Sequence, residues 1–158
     1  MENQTTGSQA DLTILEHIER DPDTTQASLA EKIGVAVGTI NWHLKRLIAK
    51  GYVKVKRLER KKLRYIITSE GIALRAHLLI DFIQSSMEMY RLVRERSQIA
   101  IETIKESGFK AVRIEGEGEI AEILQLTCME QGIEIRDDSK LPAMKIVGLK
   151  IIIKRGPE

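Results

Sequence analysis

The chain has 158 residues, 42% of them hydrophobic and 30% charged, which suits one soluble domain or two small ones. No run of roughly 18 apolar residues occurs, so an ordinary membrane span is not expected. The single cysteine, Cys128, excludes an intramolecular disulfide and a cysteine-built zinc site, and His17, His43 and His77 lack ligand spacing.

Net charge is only +2, but it is unevenly spread. Between Lys45 and Arg64 ten basic residues face one acid, Glu59, whereas residues 1–44 carry seven acids against Arg20 and Lys32. A cationic patch of this kind is the footprint expected for a polyanionic partner; charge alone also fits a solvated hairpin.

Residues 1–9 read as a polar, disordered tail with neither the basic start nor the apolar stretch of a signal peptide, and the expected location is cytoplasmic. Leu12, Ile14, Leu15 and Ile18 share a helical face, predicting a first helix over 10–20 that Asp21-Pro22-Asp23 breaks. Thr25 is the expected N-cap of a second helix ending at Gly34. A third begins near Val37 or Gly38, turns Ile40, Leu44, Leu47 and Ile48 inward, and stops at Gly51. Residues 52–57 alternate apolar and basic side chains, as a half-buried strand does, and 63–68 form the return strand. The intervening tip, 57–62, has no Gly, Asn or Pro and predicts a loose loop. Three helices and a basic hairpin make a winged helix-turn-helix, with residues 10–68 as its domain.

Opposite its apolar stripe, the third helix offers Thr39, Asn41, Trp42, His43, Lys45 and Arg46 as candidate DNA contacts. Asn41 suits an adenine edge and Lys45 or Arg46 a guanine edge or phosphate. Trp42 fits a thymine methyl, a place along the DNA backbone, or one partly buried beside the second helix. His43 reads as a phosphate contact or a plain surface residue. Arg57, Arg60, Lys61 and Lys62 are expected on phosphate or in the neighbouring minor groove.

Ser69 is the expected cap of a long helical connector over 69–107. Ile72, Ala76, Leu79, Ile83, Met87 and Tyr90 recur every three or four residues, and Leu78, Phe82, Met89 and Val93 widen the face. Packing back on the first helix is one use for it. Burial against a second subunit over 72–93 is the preferred one, because twofold proteins read paired half-sites. No Gly-, Pro- or Ser-rich linker follows, so the connection is expected to be a rigid or kinked helix.

Residues 108–158 change pattern: a strand over 109–114, then Gly116-x-Gly118-x-x-Ala121, a helix closing at Gly132, a strand over 133–138 and the acid Asp137. That order matches a dinucleotide-type βαβ unit, with Gly116, Gly118, Ala121 and Asp137 as candidate cofactor-binding residues. The other reading is a βαβ unit whose glycines serve only its tight turn. Glu115, Glu117, Glu119 and Glu122 crowd the same place and repel an anion. Residues 149–154 supply one more strand. The expected fold class is α+β: a winged helix-turn-helix, a long dimerisation helix and a small Rossmann-like βαβ domain.

Thr25-Gln26-x-x-Leu29-Ala30-x-x-Ile33-Gly34, followed by Gly38-x-x-Asn41-Trp42-x-Leu44-Lys45-x-Leu47-x-x-Lys50-Gly51, resembles the winged-helix regulators of the MarR type. The branch associated with exopolysaccharide gene clusters is the most similar. The resemblance extends through the hairpin and the opening of the long helix. It implies a prokaryotic, nucleoid-associated transcriptional regulator with a recognition helix, a wing and a dimerisation helix. Ala36 departs from the serine that such proteins often place against phosphate. Gly116, Gly118, Glu119, Ala121, Glu122, Ile123 and Asp137 resemble the small nucleotide-binding domain of some polysaccharide-biosynthesis enzymes, including epimerases. Glu115 departs from the apolar residue usual there. The resemblance implies a nucleotide or nucleotide-sugar effector; no cofactor is otherwise called for.

The expected function is therefore a homodimeric, sequence-specific regulator of double-stranded DNA, its C-terminal domain a ligand sensor or assembly module. The alternative is a protein-interaction adaptor whose winged helix binds a protein. An enzyme is not expected, since no nucleophile–base pair, carboxylate dyad or metal cluster is legible.

Overall fold

Helix α1 (Glu2–Arg20) buries Leu12, Ile14, Leu15 and Ile18 almost completely. In this computed structural model, residues 2–58 and 62–155 are described, with side chains from Gly7 onward. The helix thus takes in most of the stretch expected as a tail: once Leu12–Ile18 is packed, each further turn adds backbone bonds without a new nucleation cost. Pro22 follows it, and the Asp21 carboxylate accepts the Asp23 N–H at 3.1 Å.

Contacts divide the chain into two units, Met1–Gln84 and Ser85–Glu158. In the first, Thr25 caps α2 (Gln26–Ile33) by accepting the Ser28 N–H at 3.1 Å, and Gly34 ends it at φ 76°. Helix α3 (Val37–Ala49) starts at Ala36, which supplies no side-chain cap. Ile40, Leu44 and Leu47 meet Leu29 and the α1 stripe in one apolar core. Burying such side chains is worth about 1.5–3 kcal/mol each, so this core fixes how the three helices cross.

Strands β1 (Val53–Arg57) and β2 (Leu63–Ile67) pair antiparallel, from Val53 opposite Ile67 to Arg57 opposite Leu63. The Tyr65 N–H donates to the Pro22 carbonyl at 2.9 Å, fastening the hairpin to the α1–α2 loop. Tyr65 itself is buried, and its hydroxyl accepts from Gln26 at 3.2 Å.

Helix α4 (Ser69–Glu106) is capped by Thr68 rather than by Ser69. The Thr68 hydroxyl accepts the Gly71 N–H at 3.1 Å and donates to the Gly51 carbonyl at 2.7 Å, joining the helix start to the end of α3. Leu74 and Leu78 pack against the first core, and Arg75 pairs with Glu19 of α1. Ile72, Leu79, Ile80 and Ile83 are left 41–52% exposed. The expected connector is thus shared between the units, its first sixteen positions falling with the hairpin and helices.

In the second unit, Ala100, Ile101 and Ile104 of α4 pack with Val112, Leu124, Cys128 and Met144. Strand β3 (Ala111–Glu115), helix α5 (Glu119–Glu130) and the two-residue β4 (Glu134–Ile135) form the expected parallel βαβ unit. Strand β5 (Ala143–Val147), absent from the sequence reading, lies parallel to β3 on its other side. Strand β6 (Lys150–Lys154) returns antiparallel to β5, giving the order β4-β3-β5-β6. Val112, Ile114, Met144, Ile146, Ile151 and Ile153 all join the core with α4 and α5, so both helices cover one sheet face. The whole is α+β: winged helix-turn-helix, long helix, small mixed-sheet domain.

Two outcomes follow. A Cβ on Gly71 would collide with the Tyr52 carbonyl and lie 2.8 Å from Ile67 Cγ1. Gly71→Ala should therefore cost about 2 kcal/mol in urea unfolding, although alanine ordinarily favours a helix. Burial pushes the Cys128 thiol up to about 11. At pH 8 native protein should react with a thiol reagent far more slowly than unfolded protein does.

Candidate nucleic-acid interface

Helix α3 presents its faces as its periodicity dictates. Thr39, Trp42 and Lys45 are exposed and Asn41 is half-buried, opposite the core stripe of Ile40, Leu44 and Leu47. Trp42 is 57% exposed, so it is not folded beside α2. The shape is a helix ridge with an aromatic and a cation at its crest.

His43 requires a correction: it is 5% exposed and cannot stand on the reading face. It lies next to the apolar stripe on the wheel, on the side facing α1. There its Nδ1 is 2.7 Å from the Asp11 Oδ1, and the other Asp11 oxygen pairs with the Arg46 guanidinium. Asp11 is itself only 7% exposed. One carboxylate of α1 thus holds two successive turns of α3. Arg46 also lies over the Trp42 indole, 4.7 Å from guanidinium carbon to ring centroid, and the Trp42 and His43 rings meet edge-on at 4.8 Å. Arg46 is half-buried and already committed to an acid, so its part is to set the pose of Trp42 as much as to meet a ligand.

Sequence reasoning missed Asp11. Its signal was present: an acid one turn ahead of Leu15, in line with the buried stripe of α1, where a charge needs a partner.

The hairpin divides its charges. Lys54, Lys56 and Arg57 are exposed, whereas Arg64 is bound to Asp23 through two hydrogen bonds of 2.8 and 2.9 Å. The Arg64 hydrogen bonds hold the Asp23 carboxyl below its ordinary range. Lys62 reaches the same carboxylate at 3.9 Å, leaving its exposed ammonium largely open to solvent. Arg60 and Lys61, expected at the wing tip, lie outside the described residues. Lys54 stands opposite Ile66 and Lys56 opposite Arg64, so these cations share one face of the ribbon. Lys54 and Lys56 were not among the expected contact residues, because alternation along the strand already gives them a structural reason to be polar.

Residues 8–54 match the winged helix-turn-helix DNA-binding family. The match spans all three helices and the start of β1, the elements that build this face. Among curated proteins, none matches the chain.

In the second unit, Gly116 and Gly118 end β3 and begin α5. Gly116 has φ 138°, and a Cβ there would come within 3.0 Å of the Ile146 Cβ, so packing against β5 already requires glycine. Gly118 has φ 90° and ψ −171°, a region closed to other residues. Ala121 is buried, and Asp137 is exposed beyond β4. Glu119 and Glu122 occupy the first turn of α5, where their charge already complements the helix dipole. Glu115 is paired with Lys154 at 3.2 Å and Arg113 at 2.9 Å, which hold its carboxyl below the ordinary range.

Asp11→Ala would take the shared carboxylate away from a buried imidazole and a half-buried guanidinium. It should cost about 3 kcal/mol in chemical denaturation, well above a surface substitution. A loss under about 0.5 kcal/mol would mean that the cluster is not holding α3.

Proposed function

We propose that the protein is a homodimeric, sequence-specific transcriptional regulator that sets α3 in the major groove and the basic hairpin on the backbone. The carrying observation is the exposed α3 crest of Thr39, Trp42 and Lys45 on a stretch matched as winged helix-turn-helix DNA-binding, followed in the chain by exposed Lys54, Lys56 and Arg57 of the hairpin. Asn41 and Lys45 read base edges, Trp42 lies against a thymine methyl or the sugar-phosphate chain, and Arg57 and Lys62 meet phosphate.

In this reading two copies meet through the exposed positions of residues 72–93; Leu78, packed on the first core, and Val93, buried within the chain, take no part. Its support is the apolar exposure of Ile72, Leu79, Ile80 and Ile83, with Met87 and Tyr90 exposed further along the helix. Solvated aliphatic side chains at this density are unfavourable unless a partner covers them. The regulator is of MarR type, cytoplasmic and prokaryotic, and it acts on polysaccharide-biosynthesis genes; the residue patterns quoted above support this. It acts by binding and not as an enzyme.

The C-terminal unit serves as sensor or assembly module. For a nucleotide or nucleotide-sugar effector near Gly116, Gly118, Ala121 and Asp137, the support is topological. Strand β3 has a parallel neighbour on each side, and open α/β sheets bind ligands where strand order reverses.

Two measurements test the reading. Binding of duplex DNA should weaken with salt by about 0.9 log units per log unit for each phosphate met, and Lys54→Gln with Lys56→Gln should reduce that slope by about 2. An unchanged slope would remove the hairpin from the interface. In sedimentation, the full chain should be a dimer and Ile83→Glu, at an exposed site, a folded monomer that binds DNA at least about tenfold more weakly. Wild-type protein that stays monomeric while binding specifically would refute the dimer.

A further inference from the structure

Within the second unit, β6 is an edge: among the described residues its only sheet neighbour is β5. Two residues, Gly148 and Leu149, join β5 to β6, so Val147 and Lys150 close the hairpin as a hydrogen-bonded pair. Alternation then points the N–H and C=O of Lys150, Ile152 and Lys154 toward β5 and those of Ile151 and Ile153 outward. Outward-facing backbone groups on a regular five-residue strand are a template for another strand; β6 has no proline or bulge, and only its terminal lysines guard the edge, which they do against a like-charged strand and not against an acidic one.

A cleft of about 450 Å³ runs beside this strand. Its helical wall is Arg96, Ile99, Ala100 and Thr103 of α4, which fall on one face by their spacing of three, one and three. Ile99 is 57% exposed and Ile152 46% exposed. Arg96 donates to the Leu149 carbonyl at 2.6 Å, tying the helix to the start of the strand. A strand edge and a helix wall with a cleft between them can seat an extended chain, which gains backbone bonds from one side and side-chain contacts from the other.

We propose that this groove takes an extended acidic segment of a partner protein, added to β6 as a fifth strand. Charge selects the occupant. Lys150 and Lys154 stand at the two ends of the strand on the sheet face away from the helices, and Arg155 follows. Lys154 shares its charge with Glu115, while among the described residues no acid pairs with Lys150. A second copy fits poorly. The antiparallel register that pairs all five residues would set Lys150 of each protomer against Lys154 of the other, and like charges directly opposite destabilise a sheet. The favoured ligand therefore has carboxylates opposite both lysines. Between them, two apolar side chains face Ile99 and Ala100, and a middle residue lies beside Ile152.

The test uses the full chain and two capped synthetic peptides, Glu-Val-Thr-Val-Glu and Lys-Val-Thr-Val-Lys, flanked by serines. Fluorescence titration should give binding of the acidic peptide at least about tenfold tighter than the basic one, and the surface substitution Lys150→Glu should remove that preference. Residue-resolved hydrogen exchange should slow at the Ile151 and Ile153 amides when the acidic peptide is present, and not at Ile152. Equal affinity for the two peptides, no binding at millimolar peptide, or unchanged exchange at both amides would overturn the proposal. Slowing at those amides that grows with protein concentration and needs no peptide would overturn it in favour of a second copy.

Discussion

A single carboxylate governs how this molecule presents its recognition surface. Asp11 leaves water to sit between His43 and Arg46, on successive turns of α3. A buried acid without partners would be costly, so α1 and α3 cannot slide or rotate past each other without exposing or orphaning it. The apolar core beside it is non-directional and would accept small rotations of α3; the Asp11 contacts would not. Arg46, held by Asp11, lies over the indole and fixes Trp42 in turn. The pose of an exposed aromatic is thus set from the inside of the domain. Pre-setting an exposed helix face in this way lowers the ordering cost of any binding it does.

The hairpin and the long helix are held by the same logic of shared backbone partners. Thr68 bonds Gly51 and Gly71 at once, so the end of α3 and the start of α4 meet at one hydroxyl. Gly71 lets α4 approach the Tyr52 carbonyl closely enough for this. The basic ribbon is fastened at its middle by the Tyr65–Pro22 hydrogen bond, leaving Lys54, Lys56 and Arg57 exposed.

Much of this was legible in the sequence because local rules carried it. Thr25, Gly34 and Gly51 punctuate the helices by capping and left-handed backbone, and Ile40, Leu44 and Leu47 declare their face by period. Residues whose role is set by distant partners were not legible. His43 sits at the border of the apolar stripe, and only the arrival of Asp11 from α1 decides that it turns inward. Thr68 outcompeted Ser69 as cap because Gly51 and Tyr52 offered it acceptors. Strand β5 escaped notice since Ala143-Met144-Lys145 lacks β-branching and alternation; it is a strand because β3 and β6 flank it. The glycine pattern after β3 was readable as a turn, and its meaning changed once Ile146 proved to fill the space against Gly116.

That the outer side of α3 reads sequence, through Asn41 and Lys45, is the prediction on which the proposed function rests. Selection of genomic DNA fragments by the full-length protein near physiological salt, with Asn41→Ala and Lys45→Ala in parallel, tests it most directly. The expected result is one enriched, roughly palindromic site whose preference is lost or relaxed at particular positions in each variant, while nonspecific retention persists. Enrichment of the same site with unchanged preference in both variants would contradict it, as would retention that ignores sequence altogether.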